Sequence, residues 1–411
     1  MTTIEHDLPE SEKRCACCGG GKHRIGKQES WQVEWVPGHF ERWRHIRHVY
    51  ACATCEAAGD GGQVQTAEKS EAAAKASPVE KGMLGPGLMA YVVTSKFSDY
   101  LPLFRLENIF GRSGLTIARS TMCQCCHDVA EIARPLYDLM CRRVRMSHVV
   151  ATDDTRSPLL APGRTISARM WSYMGDDANP YNVFDFTRSR ARDGPTRFLA
   201  GFEQVLLADA YGGYDGVVAG NGITRAGCWA HGRRKFVDAE KSEPAVAREA
   251  VALIDAMFAV DRRAKGSALE EVARARDVES RPAMAHLHAR LLRWKQDLLP
   301  KSPMAGAVQY ILNQWAPLSV FLEDPTVPMD NNACEREMKR HAINRKNSLF
   351  VGSEEGGRTA AVLSSLTSTC RRHDIDPQRY LTQLLVNLPS WPAADLAAWL
   401  PDDWKRRQAE G

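Results

Sequence analysis

The pattern of apolar and polar positions divides the chain into segments of different periodicity. From residue 85 to residue 147, apolar residues recur at helical spacing, with breaks at Pro102 and at the glycine turn GRSG. The pattern predicts a helical segment in which a second helix begins near Thr116. Two interpretations of this segment stay open, a helix-turn-helix or a helical bundle that packs on its neighbour.

Strand-like patterns begin at residue 148. The runs HVVATDD, ARMWSYMG and NVFDFT have strand character, and turn residues separate them. A short helical run (PTRFLAGF), a buried strand (VLLADAYGG) and a strand that leads into a basic helix (ITRAGCWAHGRRKF) follow. Three successive strands, followed by alternating helices and strands, predict an α/β fold in which helices cover a mixed sheet.

Helical periodicity returns over residues 244–322, in stretches such as AMAHLHARLLRWKQDLL. The segment is too long for a loop and has no strand-like run, so we expect an all-helical insertion into the α/β domain. That domain would comprise residues 148–243 and 323–358, and a C-terminal helical segment would span residues 359–411. Residues 59–84 are small and polar, which is typical of a linker.

Four cysteines near the N-terminus form two CxxC pairs. Cys15 and Cys18 are the first pair, and Cys52 and Cys55 are the second. Four thiolates in two such pairs complete a tetrahedral Zn²⁺ site, and the strand-like stretch between them predicts a zinc ribbon over residues 1–58. The alternatives are redox-active pairs or small buried residues.

Composition limits the possible classes of protein. The chain has 411 residues and a formal net charge of +4, so total charge does not indicate a nucleic-acid partner. No apolar run approaches the roughly 20 residues of a membrane span, and the polar N-terminus does not resemble a signal peptide. We therefore expect a cytoplasmic protein with no membrane partner, whose cysteines are reduced. Cys141, Cys228, Cys334 and Cys370 are expected to pack in the core.

Basic residues nevertheless cluster locally. In ERWRHIRHVY, Arg42, Arg44 and Arg47 are interleaved with aromatic residues on a strand-like run, which suits phosphate and base contacts. An edge strand made basic against aggregation is the alternative. Two further runs, HGRRKF and KRHAINRKN, could hold a phosphate backbone or could be solvated helix faces. Their basic residues are Arg233, Arg234, Lys235, Lys339, Arg340, Arg345 and Lys346.

Three acidic residues occupy positions where chemistry is common. Asp153 closes the run HVVAT and Asp209 closes VLLA, and the carboxyl ends of strands often carry functional side chains. Glu335 is predicted on a helix that Asn331 or Asn332 caps. If the fold brings the three carboxylates together, they offer the hard oxygen ligands that Mg²⁺ or Mn²⁺ prefers. Taken singly, each acid could be a turn or cap residue.

Five motifs in order resemble a bacterial family of insertion-sequence transposases, family 66 of the DDE class. They are ATDDT, LLADAYGGY, CWAHGRRKF, DNNACERE and RKNSLFVGSEEGGRTAA. The CxxC pairs and the closing DIDPQRYLTQLL resemble that family too, so the likeness covers nearly the whole chain. The resemblance implies an RNase H-like catalytic fold, interrupted by the helical insertion before the glutamate, and a structural Zn²⁺ domain at the N-terminus.

The resemblance also implies the chemistry. It places the catalytic triad on Asp153, Asp209 and Glu335, binding Mg²⁺ or Mn²⁺, and implies DNA strand cleavage and transfer at element ends. His231 would help to position the scissile phosphate. The implied partners are DNA, further copies of the chain in the DNA complex, and small accessory proteins of the element. Two alternatives stay open, an inactive DNA-binding remnant and a nuclease of the same fold that transfers no strand.

Overall fold

The structure is a computed structural model of the chain. It describes residues 7, 9–14, 17–22, 24, 38–52, 64–67, 77–80 and 82–410. The chain divides into two compact units, Met1–Trp43 and Arg44–Gly411. Within the first unit, Glu10–Glu12 form one turn of 3₁₀ helix and Arg14 bridges to Gly21. None of the helices among the described residues is long and apolar enough to cross a membrane.

The region of the predicted zinc ribbon shows little regular structure among the described residues. Strand β1 (Val49–Ala51) pairs antiparallel with β2 (Val64–Thr66), and every residue of both is exposed. The strand predicted over ERWRHIRHVY is therefore confined to its last residues, because its side chains are exposed and pack against no core among the described residues. Strand β2 lies within the predicted linker. Cys15 and Cys55 lie outside the described residues, whereas Cys18 and Cys52 are exposed.

Three helices precede the main sheet. They are α1 (Pro86–Phe97), α2 (Leu103–Arg112) and α3 (Arg119–Arg145). Helix α3 begins three residues later than predicted and buries one side along its length. The hydroxyl of Tyr137 on this helix donates to the backbone carbonyl of Phe184 in the sheet at 2.7 Å. This packing favours the helical-bundle interpretation, and DNA reading by the segment stays a prediction.

The main sheet has five strands in the order β5-β4-β3-β6-β7. The strands are β3 (Val149–Ala161), β4 (Arg164–Met174), β5 (Asn182–Thr187), β6 (Val205–Ala208) and β7 (Thr224–Gly227). Strands β3, β4 and β5 are antiparallel neighbours, whereas β3, β6 and β7 run parallel. The connecting helices are α4 (Asp193–Phe198) and α5 (Asp215–Asn221). The predicted mixed α/β sheet is confirmed.

Strand β3 is longer than the sequence pattern indicated. We expected it to close at Asp153, but it continues to Ala161 because its second half pairs with β4 as a hairpin. The hairpin turns at Gly163, whose φ of +70° lies in the left-handed region that glycine adopts without strain. Asp153 therefore lies inside a strand rather than at its end.

Residues 244–322, predicted as an all-helical insertion, form helices. After α6 (Trp229–Asp238) come α7 (Pro244–Arg263), α8 (Leu269–Ala275), α9 (Arg281–Asp297), α10 (Pro303–Asn313) and α11 (Trp315–Glu323). The apolar faces of α7, α9, α10 and α11 share one core with Val149, Leu207 and Trp229. The guanidinium of Arg276, 4% exposed, binds Asp261 and donates to the Phe321 carbonyl. The insertion therefore packs directly on the sheet.

Helices α12 (Asn332–Ser348), α13 (Glu354–Arg372), α14 (Pro377–Asn387) and α15 (Pro401–Glu410) complete the chain. Helix α13 covers the edge strand β5, where hydroxyls of the helix satisfy strand N–H groups. Ser365 Oγ accepts from the Phe184 N–H at 2.8 Å, and Thr369 Oγ1 accepts from the Asn182 N–H at 3.0 Å. A buried edge strand needs such partners.

Candidate active site

Asp153 lies on β3, and Asp209 directly follows the last residue of the adjacent parallel strand β6. The pairing of β3 with β6 ends at Ala151 opposite Leu207, and each aspartate lies two residues further along. Side chains two residues apart in extended chain point to the same face, and adjacent strands are about 4.8 Å apart. The register therefore brings the two aspartates side by side where β6 ends.

The carboxyl group of Asp153 lies in an environment that disfavours its charge. Burial raises its pKa to about 7, and the negative charges of Glu335, Asp209 and Asp154 add to the increase. The N–H of Asp154 donates to Asp153 Oδ1 at 2.8 Å and opposes the rise. The coupling shows that Asp153 lies within electrostatic reach of both other candidate carboxylates.

Asp154 points to the opposite face and meets arginines instead. Its side chain is 2% exposed, with Arg169 Nη1 at 3.1 Å and Arg190 Nη2 at 2.7 Å. The Arg190 guanidinium also lies over the ring of Tyr211, 3.9 Å from the ring centroid. Of the two adjacent aspartates, Asp154 is thus neutralised inside the protein and Asp153 is not.

Helix α12 brings Glu335 to the sheet, and bonds at its first turn fix its position. The Asn331 side-chain amide donates to the Thr152 carbonyl at 2.8 Å. Cys334 Sγ lies 3.5 Å from Ser172 Oγ on strand β4. These contacts hold the helix against β3 and β4. Asn331 stands at the N-cap position of α12, but its side chain accepts no capping hydrogen bond, so that part of the prediction was wrong. Its amide donates to the sheet instead.

Asp330 takes over part of the capping role. Its Oδ1 accepts from the backbone N–H of Asn332 at 3.0 Å, and its Oδ2 accepts from the Asn332 side chain at 2.7 Å. Glu337, two residues beyond Glu335, faces elsewhere as expected. It binds Arg340 at 3.2 Å and Arg371 at 3.1 Å. Glu335 is therefore the carboxylate of α12 that faces the candidate site.

Two residues of the CWAH motif touch Glu335. His231 Nδ1 lies 3.4 Å from Glu335 Oε1, and Cys228 Sγ lies 3.9 Å from the same oxygen. Cys228 precedes the first residue of α6, and the N–H of Asn331 donates to its sulfur at 3.3 Å. Burial raises the pKa of the Cys228 thiol to about 11, while the surrounding backbone N–H groups oppose the rise.

Several residues that the sequence did not single out support Asp209. The Tyr211 N–H donates to Asp209 Oδ1 at 3.1 Å, and the Arg225 guanidinium donates to the Asp209 backbone carbonyl. The Tyr211 hydroxyl donates to the carbonyl of Arg190. The tyrosines in LLADAYGGY were visible in the sequence, but only the fold shows that Arg190 and Arg225 reach this loop.

The predicted basic residues fall into two groups. Three of them bind within the chain: Arg233 pairs with Asp255 at 2.7 Å, Arg340 pairs with Glu337, and Arg345 donates to Thr155 and Arg156 of β3. Arg47 donates to the Ala67 carbonyl at 2.6 Å but remains exposed, like Arg42 and Arg44. The residues of the two later runs that are exposed on the surface are Arg234, Lys235, Lys339 and Lys346.

The donor set fits a divalent cation. Asp153 is partly buried, and the charges that act on it most strongly are all negative. Such a cluster of carboxylates costs free energy unless a cation or a proton neutralises it. Oxygen ligands from Asp153, Asp209 and Glu335 are those that Mg²⁺ and Mn²⁺ prefer.

Comparison with known families gives matches over most of the chain. Residues 81–359 match the model described as "Transposase IS66 family". Residues 12–56 match the zinc-finger binding domain of transposase IS66, and residues 365–401 match the IS66 C-terminal element. The three models occur in chain order. The first spans the sheet, the helical insertion and the three candidate carboxylates.

Curated proteins of Sinorhizobium fredii are similar along nearly the whole chain. Uncharacterized protein y4jD is 37% identical over 97% of this chain and 80% of its own length. Uncharacterized protein y4qI is 33% identical over 97% of this chain and 75% of its own length. Uncharacterized protein y4hP is 29% identical over 98% of this chain and 76% of its own length.

Proposed function

The chain belongs to the IS66 family of transposases, and we propose that it catalyses metal-dependent DNA strand cleavage and strand transfer of an insertion element. Asp153, Asp209 and Glu335 are its catalytic triad. One structural relationship supports this assignment: the β3–β6 register brings Asp209 beside Asp153, and the Asn331 amide ties the first turn of the Glu335 helix to Thr152, so that Asp209 and Glu335 both raise the pKa of the partly buried Asp153 carboxyl. Residues separated by 126 positions, from 209 to 335, thus act on one carboxyl.

The catalytic domain is proposed to be RNase H-like, with boundaries at residues 148–243 and 323–358. The sheet supports this, because three antiparallel strands are followed by two parallel strands at the other edge. The helices of residues 244–322 enter between α6 and Glu335, as the family likeness implied. The N-terminal Cys15, Cys18, Cys52 and Cys55 are proposed to hold structural Zn²⁺, supported by the match of residues 12–56.

Asp153, Asp209 and Glu335 would hold Mg²⁺ or Mn²⁺. Bound there, two such ions activate a water or a 3′ hydroxyl and stabilise the leaving oxygen of the phosphodiester. The chain's own groups prepare the site. The Tyr211 N–H orients Asp209, and the Asn331 amide holds the start of α12 on β3. Arg169 and Arg190 pair with Asp154 and offset part of its charge, which still adds to the raised pKa of Asp153.

The exposed basic residues are proposed to bind the DNA backbone. Lys339 and Lys346 lie on α12, the helix of Glu335, and Arg234 and Lys235 lie on α6 beside His231. Lysine and arginine side chains at such positions hold phosphates by charge and release counterions on binding. DNA ends, target DNA, further copies of the chain and accessory proteins of the element are the proposed partners.

Substitution of Asp209 by Ala tests the assignment. The variant should lose Mg²⁺-dependent cleavage of DNA carrying the element ends and retain DNA binding in a gel shift. Asp297→Ala is the matched control, since Asp297 is an exposed aspartate of the helical insertion that pairs with Arg293. Cleavage by Asp209→Ala at the normal rate would remove this residue from the triad.

Product analysis separates the proposal from its two alternatives. Joined element and target DNA supports strand transfer. Nicked DNA without joined product indicates a nuclease, and DNA binding without any Mg²⁺-dependent nicking indicates an inactive remnant.

A further inference from the structure

We propose that Cys228, His231 and Glu335 form a second metal site, which takes a borderline-soft divalent cation such as Zn²⁺. The ligand atoms of these three residues all lie within 4.8 Å of one another. Bonds of ordinary length around tetrahedral zinc place neighbouring N, O and S ligands about 3.3–3.6 Å apart. The observed distances from Glu335 Oε1 are 3.4 Å to His231 Nδ1 and 3.9 Å to Cys228 Sγ.

His231 lacks the partner that a structural histidine would have. Its Nδ1 is buried and accepts or donates no hydrogen bond among the residues that the structure describes, although it faces the Glu335 carboxylate. A buried polar atom left unsatisfied costs free energy. A cation bound to Nδ1 would satisfy the nitrogen and neutralise the carboxylate at once.

The surroundings of Cys228 favour a metal-bound thiolate. The residue stands at the N-terminal end of α6, a helix of ten residues, whose end carries partial positive charge. The Asn331 N–H donates to the sulfur at 3.3 Å. Such N–H donors to a ligating sulfur are the usual outer support of a metal site.

The donor types separate this site from the carboxylate cluster. A thiolate and an imidazole select zinc-like ions, whereas carboxylate oxygens suit Mg²⁺ and Mn²⁺. Three protein ligands leave a fourth tetrahedral position open. The sequence pattern assigned Cys228 to the core, and it is indeed buried. Only the fold shows that its sulfur faces Glu335, 107 residues away.

Glu335 belongs to both donor sets, so a cation bound at the second site affects the carboxylate cluster. This step rests on the proposed function. A cation held by Cys228 and His231 engages the carboxylate that the Mg²⁺ cluster needs. Zn²⁺ bound at this site should therefore slow Mg²⁺-dependent cleavage, so that the site acts as an inhibitory zinc sensor beside the catalytic cluster.

Cobalt spectroscopy on the full chain tests the site without any measurement of activity. Protein first loaded with one equivalent of Zn²⁺, to fill the N-terminal cysteines, is titrated with Co²⁺. We expect one further equivalent to bind with a thiolate-to-cobalt band in the near ultraviolet. Cys228→Ser should lose the band, and His231→Gln should bind Co²⁺ at least about tenfold more weakly.

Cys370→Ser is the matched control, because Cys370 is equally buried but lies on α13. Circular dichroism shows whether each variant folds. If Cys228→Ser does not fold, His231→Gln still tests the site, because it leaves Cys228 in place. An unchanged thiolate band in folded Cys228→Ser, or unchanged Co²⁺ affinity in His231→Gln, overturns the site.

Zinc inhibition of cleavage tests the shared carboxylate. In wild-type protein, the Zn²⁺ concentration that halves the cleavage rate should rise with the Mg²⁺ concentration, because both ions compete for Glu335, and should extrapolate at low Mg²⁺ to the dissociation constant measured by displacement of Co²⁺. Zn²⁺ bound at the site with cleavage unchanged overturns the inhibitory role. A chain with no Mg²⁺-dependent cleavage at all contradicts the proposed function, while the cobalt result still decides the metal site.

Discussion

The side-chain amide of Asn331 donates to the backbone carbonyl of Thr152 across 2.8 Å, and this bond ties the first turn of α12 to the strand of Asp153. Asn331 is 2% exposed. In Asn331→Ala the Thr152 carbonyl loses its donor, so we expect the free energy of unfolding to fall by about 1–3 kcal/mol. The cleavage rate should fall by more than the loss of folded protein accounts for, because Glu335 lies on the same turn of α12.

Asn332→Ala is the control for this change. Asn332 is exposed and its side chain binds Asp330 at the surface, so its loss should change stability by at most about 0.5 kcal/mol. Urea unfolding and single-turnover cleavage measure both variants. Equal effects of the two substitutions would contradict a special role for the bond to Thr152.

Asp153→Asn should stabilise the metal-free protein at high pH. The pKa of Asp153 is raised to about 7, so the folded state holds this proton more tightly than the unfolded state. The contribution of this carboxyl to the free energy of unfolding is therefore fully present below the ordinary pKa of aspartate and is lost as the pH rises through about 7. At pH 8 without added Mg²⁺, we expect Asn at this position to raise the unfolding free energy by a few kcal/mol.

The gain should shrink at pH 5, where the wild-type carboxyl is protonated. Mg²⁺ should stabilise the wild type at pH 8 and the variant much less. Urea unfolding at the two pH values, with and without Mg²⁺, makes the comparison. A destabilised variant at pH 8 would show that the charge of Asp153 is compensated within the chain.

Asp154→Asn should have the opposite effect. Its carboxylate is 2% exposed and pairs with Arg169 and Arg190, and removal leaves both cations without it. We expect a loss of about 2–3 kcal/mol, less than for a fully buried pair because Arg190 is 40% exposed. The same urea measurement at pH 8 applies. A stabilised variant would contradict the ion-pair geometry.

The sequence predicted the architecture of the α/β domain because its signals are local. Apart from the short β7 (Thr224–Gly227), each strand run of the main sheet is long or strongly apolar, and the helical periodicity of residues 244–322 is unbroken by strand patterns. Strand β3 was predicted too short, because its second half, from Thr155 on, is less apolar and is stabilised by pairing with β4. The alternating residues of ERWRHIRHVY led us to predict too long a strand, because these side chains are exposed and pack against no core in the part of the chain that the structure describes.

Strand parity in the sequence predicts only that Asp153 and Asp154 face opposite sides; the choice of Asp153, Asp209 and Glu335 came from the family resemblance. The partners of these residues could not be predicted from either. The reach of Arg190 to Asp154, 36 residues away, and of Asn331 to Thr152, 179 residues away, depends on tertiary packing. Likewise, the sequence indicated no partner within the chain for Arg233 or Arg345. Only the fold shows that Asp255 binds Arg233 and that the Arg156 carbonyl of β3 binds Arg345.

Gly357→Ala should destabilise the contact between α13 and the edge strand. A Cβ at Gly357 would lie 2.4 Å from the ring of Phe186, whereas at neighbouring Gly356 it would meet nothing closer than 3.4 Å. Overpacking costs about 1–3 kcal/mol, while Ala in a helix gains up to about 1 kcal/mol over Gly. Thermal unfolding should therefore show Gly357→Ala destabilised and Gly356→Ala neutral or stabilised. Equal melting temperatures would contradict the close packing.

Replacement of Lys339 and Lys346 by Ala should weaken DNA binding while stability is retained. Both side chains are exposed on the helix that carries Glu335. Removing one lysine that binds a phosphate reduces the slope of log K against log salt by about 1, and affinity should fall similarly for all DNA sequences. Lys295→Ala, an exposed lysine of the helical insertion, should leave the slope unchanged. Fluorescence anisotropy at several salt concentrations measures the slopes, and a slope unchanged in the double variant would place the DNA backbone elsewhere.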